Sequence, residues 1–498
     1  MLFNSFTFLI FFLITFSIYY FPPLKKAQVL ILVIASLIFY SWSQPYLLIL
    51  LVLSILINSL TSYMITHDIQ EREKLWIILG IILNLSILSL FKYGALLTHL
   101  VIDHFDATRP DEGLIYILLH LPLPIGISFY TFEGISLVID VFTQKKNQRE
   151  SKSYVSSNLP EHILNTSFFV AFFPHLIAGP ILKAKHFYPQ ISTKEFKELP
   201  WAFVFRSLTV GYFLKVVIAD NLKDYTFWIQ YPYYQGLGTI TNITLLFGYS
   251  MQIFADFAGY SLIAIGLAAS LGYQLPDNFN FPYISRSISE FWRRWHISLS
   301  TWLRDYLYFS LGGNRKGNVR TYINLMIVMT LGGFWHGAAW SYAVWGAYHG
   351  IGLALERVFS FNKKPTESTD ETTVKTPLWW QIIKDSFQVL IVFIFVSLGW
   401  LLFKLPRFDQ ALDFLHTLIK NIHIKPGLSH IVPTLIFSLP VIIYHLPHFP
   451  TFQTMKKEDW PKPLHQVWNL SQDVAVGLML ALILLNSGSS QDFIYFQF

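Results

Sequence analysis

TYINLMIVMTLGGFWHGAAWSYAVWGAYHGIGLAL, residues 321–355, is the stretch on which the reading of the whole chain turns. No charged side chain stands between Arg320 and Glu356, so the run belongs in hydrocarbon or a protein core. A helix crosses a bilayer core with about 20 apolar residues. The run is too long for one span and too short for two full spans with a loop. Its middle reads Leu331-Gly332-Gly333-Phe334-Trp335-His336-Gly337, and three glycines around a histidine predict a broken or re-entrant element. Irregular backbone at membrane depth survives only inside protein or against a watery cavity. His336 then lies deep. A histidine there either ties helices together by a hydrogen bond or serves a function, and ionisable residues inside spans are functional candidates by default.

Outward from this stretch the apolar runs recur to both ends. Of 498 residues, 53% are hydrophobic, 17% aromatic and 13% charged, against about 25% charged in soluble domains. The mean hydropathy is +0.45. A water-soluble enzyme and a disordered chain are both excluded, and the class is an all-α polytopic membrane protein. Hydrophobic segments fall near 3–21, 28–43, 46–64, 75–92, 113–142, 161–180, 202–220, 238–272, 321–355, 384–404, 408–420, 431–447 and 472–487. That gives about 11–13 helices, some re-entrant or interfacial, in one membrane domain over 1–498. The runs far exceed barrel strands and lack period two. Leu2 to Tyr20 reads as a first span and not a secretory signal, since no basic segment precedes it and Pro22-Pro23 follows. The polar stretch 361–376 reads as a mobile loop.

The net charge of +6 and pI near 9.0 come from short basic runs between apolar segments, which argues for membrane-surface loops and against nucleic acid. Lys25, Lys26, Arg72, Lys74, Lys145, Lys146, Arg149 and Lys152 occupy alternate loops, while the intervening loops carry only Lys92 and Arg109. The positive-inside rule makes the loops at 22–27, 65–74 and 144–158 cytoplasmic and the N-terminus periplasmic. Cysteine is absent, which removes disulfides, thiolate nucleophiles and any acyl-cysteine intermediate. The sequence also lacks phosphate-loop, dinucleotide, HExxH and GxSxG motifs. The isolated His67, His175, His349 and His445 lack metal-ligand spacing and read as structural or loop residues, so no metal site is expected. An internal repeat is missing, which weakens a secondary transporter.

The second informative segment, 287–320, reads SISEFWRRWHISLSTWLRDYLYFSLGGNRKGNVR. At about 100° per residue, Phe291, Trp292, Trp295, Leu299, Trp302, Leu303 and Tyr306 share one arc. Arg294, Ser298, Thr301 and Asp305 take the opposite side, and Arg293, Ser300 and Arg304 form a third strip. His296 falls on the seam between that strip and the apolar arc. This predicts one amphipathic helix at the membrane interface. Either the arginines snorkel from a structural helix, or they meet an anionic substrate beside His296. Glu133, Asp140 and Asp256 also sit in apolar runs and need partners. A helix dipole, an arginine or a tyrosine would serve, or a catalytic histidine that the carboxylate orients.

Residues 291–317 and 331–350 together resemble the paired signature of the membrane-bound O-acyltransferase (MBOAT) family, in its bacterial AlgI-like alginate O-acetylation branch. Residues 126–142, 172–181, 255–268 and 492–498 are similar to other blocks of that branch. The resemblance spans nearly the whole chain, with a signature core at about 126–356. It implies a multi-helix fold with a transmembrane tunnel, acyl transfer to a hydroxyl, an active-site histidine at His336 and a second signature histidine at His296. Arg293, Arg294, Arg304, Trp335 and Asp256 would then bind substrate or line the tunnel. The resemblance further implies an acetyl-CoA or other acyl thioester donor with no bound cofactor, an inner-membrane location, and periplasmic partners of a polysaccharide-modification system. Leu262 and His175 depart from the branch, which commonly has aspartate and glutamine there. D-alanyl transfer to teichoic acid is the alternative within the family, and a transporter with a histidine proton relay the alternative outside it.

Overall fold

The computed structural model describes residues 1–42, 44–68, 70, 72–104, 112–147, 154–361, 377–453 and 462–488. Position 148 with Arg149 and Lys152, the loop residues after Phe361 up to 376, and the terminal block 492–498 lie outside the described residues. Helices and turns make up the described chain, with no strand among the described residues. Among the described residues, eight helical stretches are long and apolar enough to cross a membrane: Pro22–Ser41, Pro45–His67, Glu73–Ile102, Trp201–Ile229, Thr239–Ser270, Leu378–Lys404, Leu428–His448 and Gln466–Leu485. Phe6–Tyr19 is a shorter apolar helix.

Two long apolar runs, each long enough to be broken, divide. The run 113–142 becomes Leu114–Leu119 and Ile127–Asn147, because Pro122 and Pro124 remove helical N–H donors and clash with the preceding turn. The run 321–355 becomes two helices, Asn318–His336 and Trp340–Phe361. Both helices continue past the charged residues taken as limits, and neither is among the eight stretches of crossing length.

The residues cluster in two compact units. The first holds Met1–Leu208 and Tyr260–Pro276. Within it, Asn58 and Asn84 exchange side-chain hydrogen bonds at 2.8 and 3.3 Å, and the buried Glu133 carboxylate accepts from His175 Nε2 at 3.1 Å and Leu182 N–H at 3.0 Å. The departure at His175 is therefore the partner of a buried carboxylate. Asp140 accepts weakly from the Lys185 N–H at 3.4 Å. Lys145 donates to the Ile65 carbonyl at 2.9 Å, so the C-terminal ends of helices Leu48–His67 and Ile127–Asn147 lie side by side.

The second unit holds Thr209–Gly259 and Asp277–Phe498, and both signature histidines fall in it. Its core is aromatic: Trp295, Trp345 and Trp400 are almost wholly buried. Burying such rings is the largest apolar contribution per side chain, and their edge-to-face contacts add to it.

Candidate active site

The segment expected to be one amphipathic helix is two helices with a joint. Ile288–Arg294 starts at Ser287, whose hydroxyl accepts the Glu290 N–H at 3.0 Å. Glu356 from the neighbouring helix accepts the N–H groups of Ile288 and Ser289 at 2.6 and 3.2 Å. These acceptors satisfy donors that a helix start leaves open, and the carboxylate complements its dipole. The helix then stops. Trp295 is extended, His296 is left-handed at φ 43 and ψ 55, and Ile297–Trp302 begins.

Asn278 holds this joint. Its carbonyl accepts the Ile297 N–H at 2.9 Å, and its carboxamide oxygen accepts the Ser298 hydroxyl at 2.7 Å. Asn280 N–H bonds the Arg294 carbonyl at 2.9 Å. A π-helical turn, Leu303–Tyr308, follows. The apolar arc is buried at Phe291, Trp295, Leu299, Trp302, Leu303 and Tyr306, but the break moves His296 from the expected seam to full burial, 0% exposed. Its ring meets Phe257 at 4.6 Å, nearly perpendicular, and burial pushes its imidazole down to about 3. His296 is therefore neutral at ordinary pH.

His336 is the last residue of Asn318–His336. Gly337 turns extended, at φ −166 and ψ 157, and a Cβ on it would stand 2.2 Å from the Tyr342 ring. Only glycine lets Tyr342 close over the joint. The return helix packs tightly: a Cβ at Gly333 would lie 2.1 Å from the Tyr342 carbonyl oxygen, and one at Gly346 2.2 Å from that of Met329. The glycine-bracketed histidine thus sits at a helix hairpin's inner corner, 4% exposed.

The two histidines, far apart in sequence, meet with ring centroids 6.2 Å apart. Trp335 touches both, at 5.7 Å from His296 and 5.0 Å from His336. Trp345 and Phe403 face His336 at 5.2 and 5.1 Å. Two imidazoles in one apolar shell can take and return protons where competing water is scarce.

The basic strip is less uniform than expected. Arg294 pairs with Glu290 at 2.9 Å and donates to the Asn280 carbonyl at 3.0 Å, so it braces the joint. Arg304 pairs with Asp305 at 2.8 Å, and Arg293 is exposed. Asp256 is buried against Lys215 at 2.7 Å, and the same ammonium pairs with Asp220 at 2.8 Å. The partner is thus a lysine, and not the helix dipole, arginine, tyrosine or catalytic histidine expected from the sequence. A lone lysine within the apolar run FLKVVIA, 213–219, was the available signal. Asn278 was also missed, because its role depends on a segment folding beside the break. Among the described residues, no group of three His, Asp or Glu side chains converges to hold a metal.

This geometry accompanies a clear kinship. The family profile described as membrane-bound O-acyltransferase matches residues 34–399. The chain is 39% identical over 418 residues to the probable alginate O-acetylase AlgI of Pseudomonas aeruginosa, covering 82% of this chain and 73% of the relative. It is 36% identical over 413 residues to the peptidoglycan O-acetyltransferase of Helicobacter pylori, covering 78% and 73%. The teichoic acid D-alanyltransferase of Bacillus subtilis is 29% identical over 315 residues, covering 61% and 72%. The chain is a multi-pass membrane protein and belongs to the membrane-bound O-acyltransferase family.

Proposed function

We propose that this protein transfers acetyl groups from a cytoplasmic acyl thioester, acetyl-CoA or a similar donor, across the inner membrane for O-acetylation of an exported polysaccharide. The observation that carries the reading is the buried His336–His296 pair, 6.2 Å apart, at the joint of two broken elements. The acetylating relatives match more of the chain at higher identity than the D-alanyl relative does, which favours acetyl over D-alanyl as the group moved.

A hydroxyl is a weak nucleophile at neutral pH, and a neutral imidazole strengthens it by taking its proton. In the proposed step the hydroxyl oxygen bonds to the acyl carbon, its proton passes to the His336 imidazole, and the carbonyl electron pair moves onto oxygen. When the carbonyl re-forms, the carbon–sulfur bond breaks and the leaving thiolate takes the proton back from His336. His296 positions the acceptor or lines its path. Trp335 and Phe403 keep out water that would hydrolyse the donor. Arg293 and Arg304, on the exposed side, suit the phosphates of a donor or lipid headgroups. The N-terminus is periplasmic in this scheme, and periplasmic acceptor proteins take the product onward.

The test is the acetyl-ester content of the exported polymer in cells carrying His336→Ala. General-base assistance is worth about 10²- to 10⁴-fold, so a correctly inserted variant should lose at least about 100-fold in acetylation rate. Wild-type acetylation by that variant would overturn the mechanism and favour a transporter with a histidine relay.

A further inference from the structure

Sequence reasoning left His349 as a structural or loop residue, and its surroundings assign it more. His349 is wholly buried. Trp345, which faces His336 with ring planes 88° apart, meets His349 at 4.8 Å and Trp292 at 5.7 Å. Trp292 closes the triangle onto His349 at 5.2 Å. Each ring carries a buried polar nitrogen. The indole nitrogens of Trp292 and Trp345 and both imidazole nitrogens of His349 find no hydrogen-bond partner among the described residues.

Buried polar atoms are normally paired, because an unpaired one forfeits its hydration without return. A core that needed only filling would use Phe or Leu at these positions. Four such atoms on three touching rings, one of them packed on His336, point to a guest that arrives with the reaction. An indole N–H is donor only, and neutral imidazole offers one further donor. Three of the four atoms are thus donors and the fourth, the bare imidazole nitrogen, an acceptor, so the guest must offer an acceptor to the donors.

We propose that Trp345, Trp292 and His349 form the subsite for the acyl carbonyl oxygen, with Trp345 Nε1–H as the principal donor. This rests on the acyl-transfer reading above and deepens it. When the acceptor hydroxyl bonds to the acyl carbon and its proton goes to His336, the carbonyl electron pair moves onto an oxygen held by the indole N–H. No bond to Trp345 forms or breaks, and the pair returns when the carbon–sulfur bond breaks. Donors fixed in a dry site act most strongly where charge develops.

The test measures transfer from radiolabelled acetyl-CoA in native membrane vesicles carrying the polymer. Removing one such donor costs about 10²- to 10³-fold in kcat, so Trp345→Phe should lose about 100-fold in kcat with KM little changed. Trp345→His, which restores a ring N–H, should recover at least about tenfold of that loss. Inserted Trp345→Phe protein at the wild-type kcat would overturn the proposal, as would Trp345→Phe and Trp345→His being equally impaired while folded. Should Trp345→Phe fail to insert, His349→Phe against His349→Gln decides in the same way. The expected result is a loss in the first and a smaller loss in the second, and equal rates contradict the subsite. Wild-type activity in His336→Ala would sink the underlying reading too, whereas an inactive His336→Ala beside a fully active Trp345→Phe sinks the subsite alone.

Discussion

His296 occupies left-handed backbone that costs most side chains of order 1–3 kcal/mol and that His tolerates better than bulky or β-branched residues. The surrounding Asn278 bonds hold it there, and the result is an imidazole turned into the apolar interior beside His336. Two consequences are measurable in detergent-solubilised protein. His296→Val should destabilise by about 1–3 kcal/mol more than His296→Asn, since asparagine accepts this conformation; equal melting temperatures would contradict the strain. The depressed imidazole, about 3 against an ordinary 6.5, makes the unfolded state bind the extra proton. Its contribution to stability is thus full above about pH 6.5 and falls away as pH drops from there toward 3. The wild type should therefore lose melting temperature between pH 7 and 5 faster than His296→Asn, and parallel curves would refute this. The identities of both signature histidines were legible from their glycines and arginines. Their environment was not, because the partners of Arg294, Asp256 and His296 come from residues that a helical wheel does not see.

At the scale of elements, the break after His336 was legible because glycine both permits and marks it. Its bounds were misread because charge was taken as the end of an element. Arg320 lies within the first helix and Glu356 within the second, where its carboxylate caps a neighbouring helix. The opposite error befell 287–320. The apolar periodicity is real and its residues are buried, but the joint at Trp295–His296 depends on Asn278 and Asn280, which periodicity cannot report. The hairpin offers a direct check. A methyl at Gly346 would meet the Met329 carbonyl oxygen, and backbone cannot yield as a flexible side chain does, so Gly346→Ala should cost about 1–3 kcal/mol by overpacking. It should also lower acetylation by displacing His336. Unchanged melting and unchanged acetylation would contradict the close approach.

Across the whole molecule, composition and the length of the apolar runs established a helical membrane protein, and eight stretches of crossing length among the described residues, with further shorter helices, agree. What composition could not supply was how the chain divides and where its histidines meet, since both arise from contacts distant in sequence. The central claim is that His336 serves as general base for acyl transfer from a donor at one membrane face to a hydroxyl at the other. It is tested most directly with purified protein in sealed proteoliposomes of known orientation, giving labelled acetyl-CoA to one face and trapping the oligosaccharide acceptor at the other. The account predicts acetylated acceptor when donor meets the face bearing the loops near 25, 70 and 145, little when the faces are exchanged, and at least about 100-fold less from inserted His336→Ala. Equal acetylation by wild type and His336→Ala would contradict it.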